Sequence, residues 1–462
     1  MSNENEEFKE LGILTKNKNF KKWSEAGLMD KLDKNLIKDV QNFWKNKTNR
    51  KVDPALHIAY MNLTGIKDKR LVTAGVMHYE VLPVFNDYSL TDYYGDKNIY
   101  DLLIDSSRSA TTVLRNIRGK YFDPDYNIID PETAESILLN IDSSMIIKPS
   151  KSNNGAGIKK LTVQHDKIYI GEEHVTIRQL LKKFKENFII QEMLEQHPNM
   201  AAPHPASVNT IRMLTFRWKN EVKYLLAFAR FGSNDDIRDN ASVDVSPRVG
   251  IKDSGEFFEY GISQNLEIIT HHPTTGFEMA KLKPIPNYEE FKQFVKDSHK
   301  NLLHVDLVSW DIAVGKDGKP VFIEANFAGS TAFYQLISQK SMFGDITEEV
   351  MEHVKKEVQT KKPILEKRYV KKQEKRKEER IKKEEEEKQR LIHNLKADLE
   401  SVWRDKNEGI NKFNKKVDND EEFQLLRKEN EKYKKEYNKL KQSSSWKLTA
   451  PLRKISSLIK RK

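Results

Sequence analysis

The feature that most constrains this chain is a pair of adjacent apolar segments, Val305 to Val314 and Pro320 to Ala325, joined by Gly315-Lys316-Asp317-Gly318-Lys319. A turn-rich connector of that kind between two apolar runs predicts a β-hairpin. Three polar residues stand in or beside the hairpin: Asp311, Glu324 and Asn326. Glu324 and Asn326 are two apart and share one face of an extended strand, over which Asp311 of the partner strand can lie. Two carboxylates and an amide oxygen are hard ligands suited to Mg2+ (or Mn2+) held against phosphates. Without a cation such an acid pair would repel. Taken alone, the segment is equally compatible with a hairpin carrying two ordinary solvated acids.

A matching nucleotide half lies upstream. Ser144 to Lys148 reads as a short strand ending in lysine, followed by Pro149 and the small-residue stretch Ser150 to Lys159, which contains Gly155 and Gly157. Glycines there let backbone amides approach phosphate oxygens, and Lys148 can place a point charge on the α or β phosphate. No Gly-Lys-Ser/Thr opens a helix, so this is not a P-loop. An isolated Gly-rich turn is more often just a hairpin. Phe188-Ile189-Ile190-Gln191-Glu192-Met193-Leu194 is an apolar strand running into an acid. Met193 and Leu194 can wall an adenine while Glu192 and nearby backbone groups meet its polar edge.

The order lysine, small-residue loop, adenine-binding hinge, Asp, then Glu-x-Asn resembles the ATP-grasp superfamily, as does the separation of 13 residues between Asp311 and Glu324. The earlier lysine expected of that family is Lys97, in Gly95-Asp96-Lys97-Asn98-Ile99-Tyr100-Asp101. The stretch His204 to Phe216, with Ala229-Arg230-Phe231-Gly232, Asp239-Asn240, His271 to Gly276 and Ser309-Trp310-Asp311-Ile312-Ala313, is similar to the sugar-transfer-associated ATP-grasp group of bacterial surface-polysaccharide loci. The resemblance covers roughly residues 35 to 345.

It implies an α/β (α+β) ATP-grasp fold, two lobes clasping ATP, with Asp311, Glu324 and Asn326 as metal ligands. Lys97, Lys148, Gly155, Gly157, Glu192 and Leu194 would bind the nucleotide. Arg212 and Arg230 are assigned to the γ-phosphate and the developing acyl phosphate; the alternative is an ion pair with a cleft carboxylate. The implied chemistry is ATP- and Mg2+-dependent carboxylate-amine ligation through an acyl phosphate, acting on a small molecule or glycan precursor. A kinase of a sugar or lipid-linked hydroxyl needs the same groups. A non-catalytic ATP-binding assembly protein is a third reading, disfavoured because lysines, loop and ligands are all present. His272 can contact the acceptor or structure its loop. No His-x-x-x-His pair stands beside an acid, which argues against catalytic zinc.

Five regions are expected: a helical N-terminal region 1–90, a small lobe 91–185, a large metal-bearing lobe 186–350, a charged helix or coiled coil 351–445, and a basic amphipathic tail 446–462. Trp23, Leu28, Leu32, Leu36, Val40 and Trp44 mark the first, with a turn at Thr64-Gly65. The net charge of +11 is uneven: residues 351–462 hold 35 basic against 21 acidic residues, or +14, leaving −3 for residues 1–350. A nearly neutral body argues against nucleic acid as partner. The absence of cysteine excludes disulfides and thiolate metal sites.

Phe423, Leu426, Asn430, Tyr433, Tyr437 and Leu440 recur at heptad spacing, a seam for self-association through 423–440 or for docking on the body. Residues 446–462 hold six basic residues and no acid beside an apolar face, matching either an anionic membrane surface or a partner such as a glycosyltransferase. Neither a signal segment nor a run of 18 apolar residues is visible, so the expected location is cytoplasmic, peripheral at the inner face of the membrane if the tail binds lipid.

Overall fold

The computed structural model describes residues 2–152, 157–234, 245–329, 331–360, 374, 378–379, 381–395 and 420–442. The chain divides into two compact units, Met1–Lys371 and Lys372–Lys462.

Within the first unit, short alternating segments punctuated by turns build two antiparallel sheets. The first contains β1 (Thr112–Ile117), β2 (Lys120–Phe122), β3 (Ile128–Ile129), β4 (Met145–Pro149), β5 (Lys159–Gln164), β6 (Lys167–Ile170), β7 (Glu173–Val175) and β8 (Phe188–Glu192), ordered β3-β2-β1-β8-β4-β5-β6-β7. Met145 and Ile147 of β4 join Phe188 and Ile190 of β8 in a core that also holds Ala134, Leu138, Ile177 and Leu180 from the helices Pro131–Leu139 and Ile177–Phe184. The period of two then turns Lys148 to the opposite face.

The second sheet contains β9 (Thr210–Trp218), β10 (Glu221–Arg230), β11 (Arg248–Ile251), β12 (Gly261–Ile262), β13 (Ile268–Ile269), β14 (Leu307–Val314) and β15 (Pro320–Asn326), ordered β13-β12-β11-β10-β9-β14-β15. Both faces are covered, which is why β14 is buried at every residue. One face carries Ile211, Met213, Trp310 and Ile312 against Phe291 and Val295 of the helix Tyr288–Lys300. The other carries Leu214, Phe216 and Phe228 against the helix Thr331–Ser338 and the N-terminal helices.

The N-terminal region is helical, with two of its helices capped by side chains. Asn17 accepts from the Asn19 amide at 3.0 Å ahead of Lys18–Glu25, and Asp33 accepts from the Leu36 amide at 2.8 Å ahead of Lys34–Trp44. Trp23, Leu28, Leu36, Val40 and Trp44 are buried in the core shared with the second sheet, with Leu32 packed against it. Gly65 ends the helix Ala55–Thr64 at φ 75°, the left-handed geometry that favours glycine. A helix over residues 347–360 adds Val350, Met351 and Val354 to the same core.

In the second unit, residues 381–395 and Asp420–Gln442 are helical. Tyr433, Tyr437 and Leu440 of the heptad seam are exposed there. Residues 446–462 lie outside the described residues, as do the side chains of Phe423 and Leu426. No described helix is long and apolar enough to cross a membrane.

Candidate active site

Lys97 is positioned by a short turn in which the Asp96 carboxylate accepts from the Asn98 amide at 3.1 Å. Its own amide donates to the Ser150 carbonyl, 3.0 Å away, just past β4. Its ammonium donates to the Ser152 carbonyl at 3.1 Å and to Glu324 Oε1 at 3.5 Å, so one side chain joins the loop after β4 to the end of β15. Lys148 is also buried, and burial with the nearby charge of Lys97 lowers its ammonium to about 8, against the opposite pull of Glu324. Gly157 stands at φ 81°, where an added Cβ would meet Pro149 Cγ at 2.9 Å. The loop therefore folds back on Pro149 at a position only glycine fills without strain. Gly155 lies outside the described residues.

At the end of β8 the amides of Glu192 and Met193 donate to the carbonyls of Thr111 and Ser144, at 2.9 and 2.8 Å. The Glu192 carboxylate accepts from Ser143 Oγ at 3.0 Å. Leu194 follows, partly buried, beyond the strand.

The hairpin of β14 and β15 brings Asp311 opposite Glu324 and Ser309 opposite Asn326. Between Asp311 and Ile312 the register shifts, because Phe322 faces Ile312 while Glu324 faces Asp311, leaving Ile323 as the extra residue of a β-bulge. Phe322 thus joins Ile312 in one core, whereas Glu324 and Asn326 turn to the face of Asp311. Unbroken alternation would have put Phe322 and Glu324 on the same side.

Asp311 is held on several sides. Arg212 donates through Nε to Oδ1 and through Nη2 to Oδ2, the latter at 2.9 Å. Arg230 Nη2 stands 3.1 Å from Oδ2, and Asn326 Nδ2 donates to Oδ2 at 3.3 Å. Burial alone would push the carboxyl up, but the two guanidiniums outweigh it and hold it below its usual range. For Arg212, burial disfavours the charge and Asp311 more than restores it, so its pKa is raised. Both arginines are thus ion-paired with Asp311.

The donor set fits a hard divalent cation. Among the described residues, Glu324 Oε1 meets only Lys97 at a long 3.5 Å, and the bond from Asn326 Nδ2 to Asp311 leaves the amide oxygen of Asn326 as its metal-competent end. Asp311 Oδ1 accepts from Arg212 alone and retains a lone pair. No group of three or more His, Cys, Asp or Glu placed to hold a metal occurs among the described residues.

Two residues that sequence reading missed complete the site. Tyr334 accepts from Arg212 Nη1 at 2.8 Å, and an added Cβ on Gly329 would meet its hydroxyl at 2.5 Å. Arg248 stands opposite Arg230 on the neighbouring strand. Local pattern marks neither, since each gains its place through pairing between distant segments.

His272 and His299 are each held by local hydrogen bonds. His272 Nε2 bonds the Gly232 carbonyl at 2.7 Å, its Nδ1 accepts from the amides of Thr274 and Thr275, both at 3.3 Å, and its ring stacks on His204. Burial lowers its pKa. Of the two roles open to His272, these contacts match the loop-structuring one. His299 bonds Thr215 and the Val305 carbonyl and is held near 4 by burial.

The sequence profile described as sugar-transfer associated ATP-grasp matches residues 61–352, more than half of the chain. The chain belongs to that family, and its two antiparallel sheets with flanking helices are an ATP-grasp fold. No curated protein sequence matches it. Among solved structures it is similar to the biotin carboxylase domain of the Hydrogenobacter thermophilus 2-oxoglutarate carboxylase (13% identity, 59% of this chain and 47% of that one, TM-score 0.35). It is similar also to the D-alanine–D-alanine ligase of Bacillus anthracis (13% identity, 58% and 69%, TM-score 0.31). A third is the VanG D-Ala:D-Ser ligase of Enterococcus faecalis (12% identity, 59% and 63%, TM-score 0.35). The chain spans about half the length of the first of these.

Proposed function

We propose that the chain is an ATP- and Mg2+-dependent ligase that activates a carboxylic acid as its acyl phosphate and passes it to an amine, in the assembly of a surface polysaccharide or related glycan. The observation that carries this reading is Lys97, which reaches from the loop after β4 to Glu324 and so brings the lysine-rich side of the cleft to the Asp311, Arg212 and Arg230 cluster. Membership of the family supports it.

Lys148 supplies a charge to the α or β phosphate, and the loop containing Gly155 and Gly157 covers the phosphates. The backbone and side chains of Glu192 to Leu194 meet the adenine, a carbonyl and an amide of extended chain matching the donor and acceptor of its edge. Glu324, Asn326 and Asp311 would hold Mg2+, which when bound screens the β and γ phosphates from an approaching anion. As nucleotide enters, Lys97 exchanges Glu324 for phosphate. Arg230 and Arg212 neutralise charge on the transferring phosphoryl group while Asp311 keeps their planes fixed. A carboxylate oxygen attacks the γ-phosphorus and ADP leaves; the amine then attacks the acyl carbon, and phosphate leaves with the proton that the amine gives up. Positioning and charge neutralisation suffice, and no side-chain nucleophile takes part.

A glycan role fits a cytoplasmic enzyme, with residues 446–462 for membrane or glycosyltransferase contact and 423–440 for self-association. The test is incubation of the full chain with ATP, Mg2+, amino acids and glycan precursors, with products identified by mass spectrometry. ADP with an amide-bearing product is expected. ADP with a phosphorylated sugar would replace ligase by kinase, and no ADP with any precursor would leave a non-catalytic ATP-binding protein.

A further inference from the structure

The short turn that carries Lys97 runs directly into the helix Tyr100–Leu103. Residues three apart on such a turn lie on one side of it, which puts Lys97 and Tyr100 together. Both meet β15: Lys97 reaches Glu324, and the Tyr100 ring packs edge-on against Phe322, with centroids 4.9 Å apart. The two contacts fall on either side of the bulge at Ile323. Tyr100 is 6% exposed, and its hydroxyl has no hydrogen-bond partner among the described residues. A buried hydroxyl without a partner costs free energy that a phenylalanine of the same shape, packed against Phe322 in the same way, would not. Burial and then the charge of Glu324 push the Tyr100 pKa well above the ordinary tyrosine range, against the opposite influence of the Ala325 amide, and Asp311 and Asp96 add to the rise. The hydroxyl therefore stays a neutral donor in acidic surroundings.

We propose that Tyr100 is a positioning residue for Glu324: once Lys97 turns to phosphate, the Tyr100 hydroxyl donates to the Glu324 carboxylate and fixes it for Mg2+. This rests on the ATP- and Mg2+-dependent reading of the site and adds to it a group that touches neither nucleotide nor metal. Lys97 and Tyr100 are then alternating partners of one carboxylate. The ammonium holds Glu324 at 3.5 Å before nucleotide arrives, and the phenol holds it afterwards. A neutral donor suits the second state, because it orients the carboxylate without cancelling the negative charge that a divalent cation needs. Groups behind a metal-binding carboxylate set its orientation in this way, and losing one costs about 10–100-fold in metal affinity. A hydrogen bond changes partner in the exchange, and no proton is transferred.

Thermal melting of the full-length protein tests the assignment, with ADP across a range of Mg2+ concentrations and with ADP in EDTA, on wild type, Tyr100→Phe, Glu324→Gln and the double variant. Without nucleotide, Tyr100→Phe should melt at or above the wild-type Tm, because it removes a buried hydroxyl that has no partner. With ADP, the Mg2+ concentration giving half of the Tm shift should rise at least about tenfold in Tyr100→Phe, while the shift given by ADP in EDTA stays the same. Because Tyr100 acts through Glu324, adding Tyr100→Phe to Glu324→Gln should move that midpoint no further. A lower Tm for Tyr100→Phe without nucleotide would show a hydroxyl already partnered and overturns the assignment. So does an unchanged Mg2+ midpoint, a loss of ADP in EDTA as large as that with Mg2+, or effects that add in the double variant. Absence of any Mg2+-dependent shift in the wild type overturns the ATP and Mg2+ reading itself.

Discussion

Asp311→Asn and Glu324→Gln each remove one negative charge while keeping side-chain shape, yet their structural costs should differ sharply. Asp311 is 4% exposed and accepts twice from Arg212, once from Arg230 and once from Asn326. An asparagine there turns an amide N–H toward guanidinium donors, deprives Arg230 of this contact and takes the counter-charge from the buried Arg212. Breaking a buried pair in this way costs about 3–5 kcal/mol. Glu324, 17% exposed at its side chain, has a single long contact to Lys97 at 3.5 Å, so its loss should cost about 1 kcal/mol. Urea unfolding at neutral pH measures both, provided the slopes stay equal to the wild type. The pH dependence adds a sign. Burial opposes ionisation of Asp311, but Arg212 and Arg230 outweigh it, so the folded pKa lies below the unfolded one. The stabilisation is therefore complete above the ordinary carboxylate pKa of about 4 and is lost as pH falls through the lower folded value. The gap between wild type and Asp311→Asn should narrow in acid. Equal losses for the two variants, or an Asp311→Asn protein within about 1 kcal/mol of wild type, would refute the buried-clamp account of Asp311.

Lys148→Met should weaken ADP by at least about tenfold and leave adenosine untouched in titration calorimetry; equal loss for both would contradict a phosphate role. With its pKa lowered to about 8 by burial and Lys97, folded Lys148 binds fewer protons than the unfolded chain between pH 8 and about 10.4, so wild-type stability should rise across that window and Lys148→Met should be flat. At neutral pH the variant should gain up to about 3 kcal/mol, and a wild-type profile no steeper than the variant's would remove the argument. Leu440→Asp with Tyr437→Asp should lower the sedimentation coefficient of any oligomer the full chain forms, and an unchanged coefficient assigns self-association elsewhere. Full-length protein should co-sediment with anionic vesicles at low salt, less so as salt rises, and a chain ending at Gln442 should not; equal binding by both chains would clear residues 446–462 of that role.

The local sequence determined the hairpin, because a Gly-containing connector between apolar runs favours one connection, and it determined that Glu324 and Asn326 share a face, because strand periodicity is a property of consecutive residues. It equally marked Lys148 at the end of its strand and the glycine that the loop needs at residue 157. The bulge at Ile323 lay beyond such reading, since a register shift exists only between two strands and leaves Phe322 and Glu324 on opposite faces despite their spacing. Asp311 was legible as an acid in an apolar strand, whereas its partners were not: Arg212 lies 99 residues away in sequence and Arg230 on the strand beyond. Tyr334 and Arg248 carry no local signature at all. Whether a carboxylate faces water, a metal or a guanidinium is set by which strands become neighbours, and that choice belongs to the packing of the whole sheet.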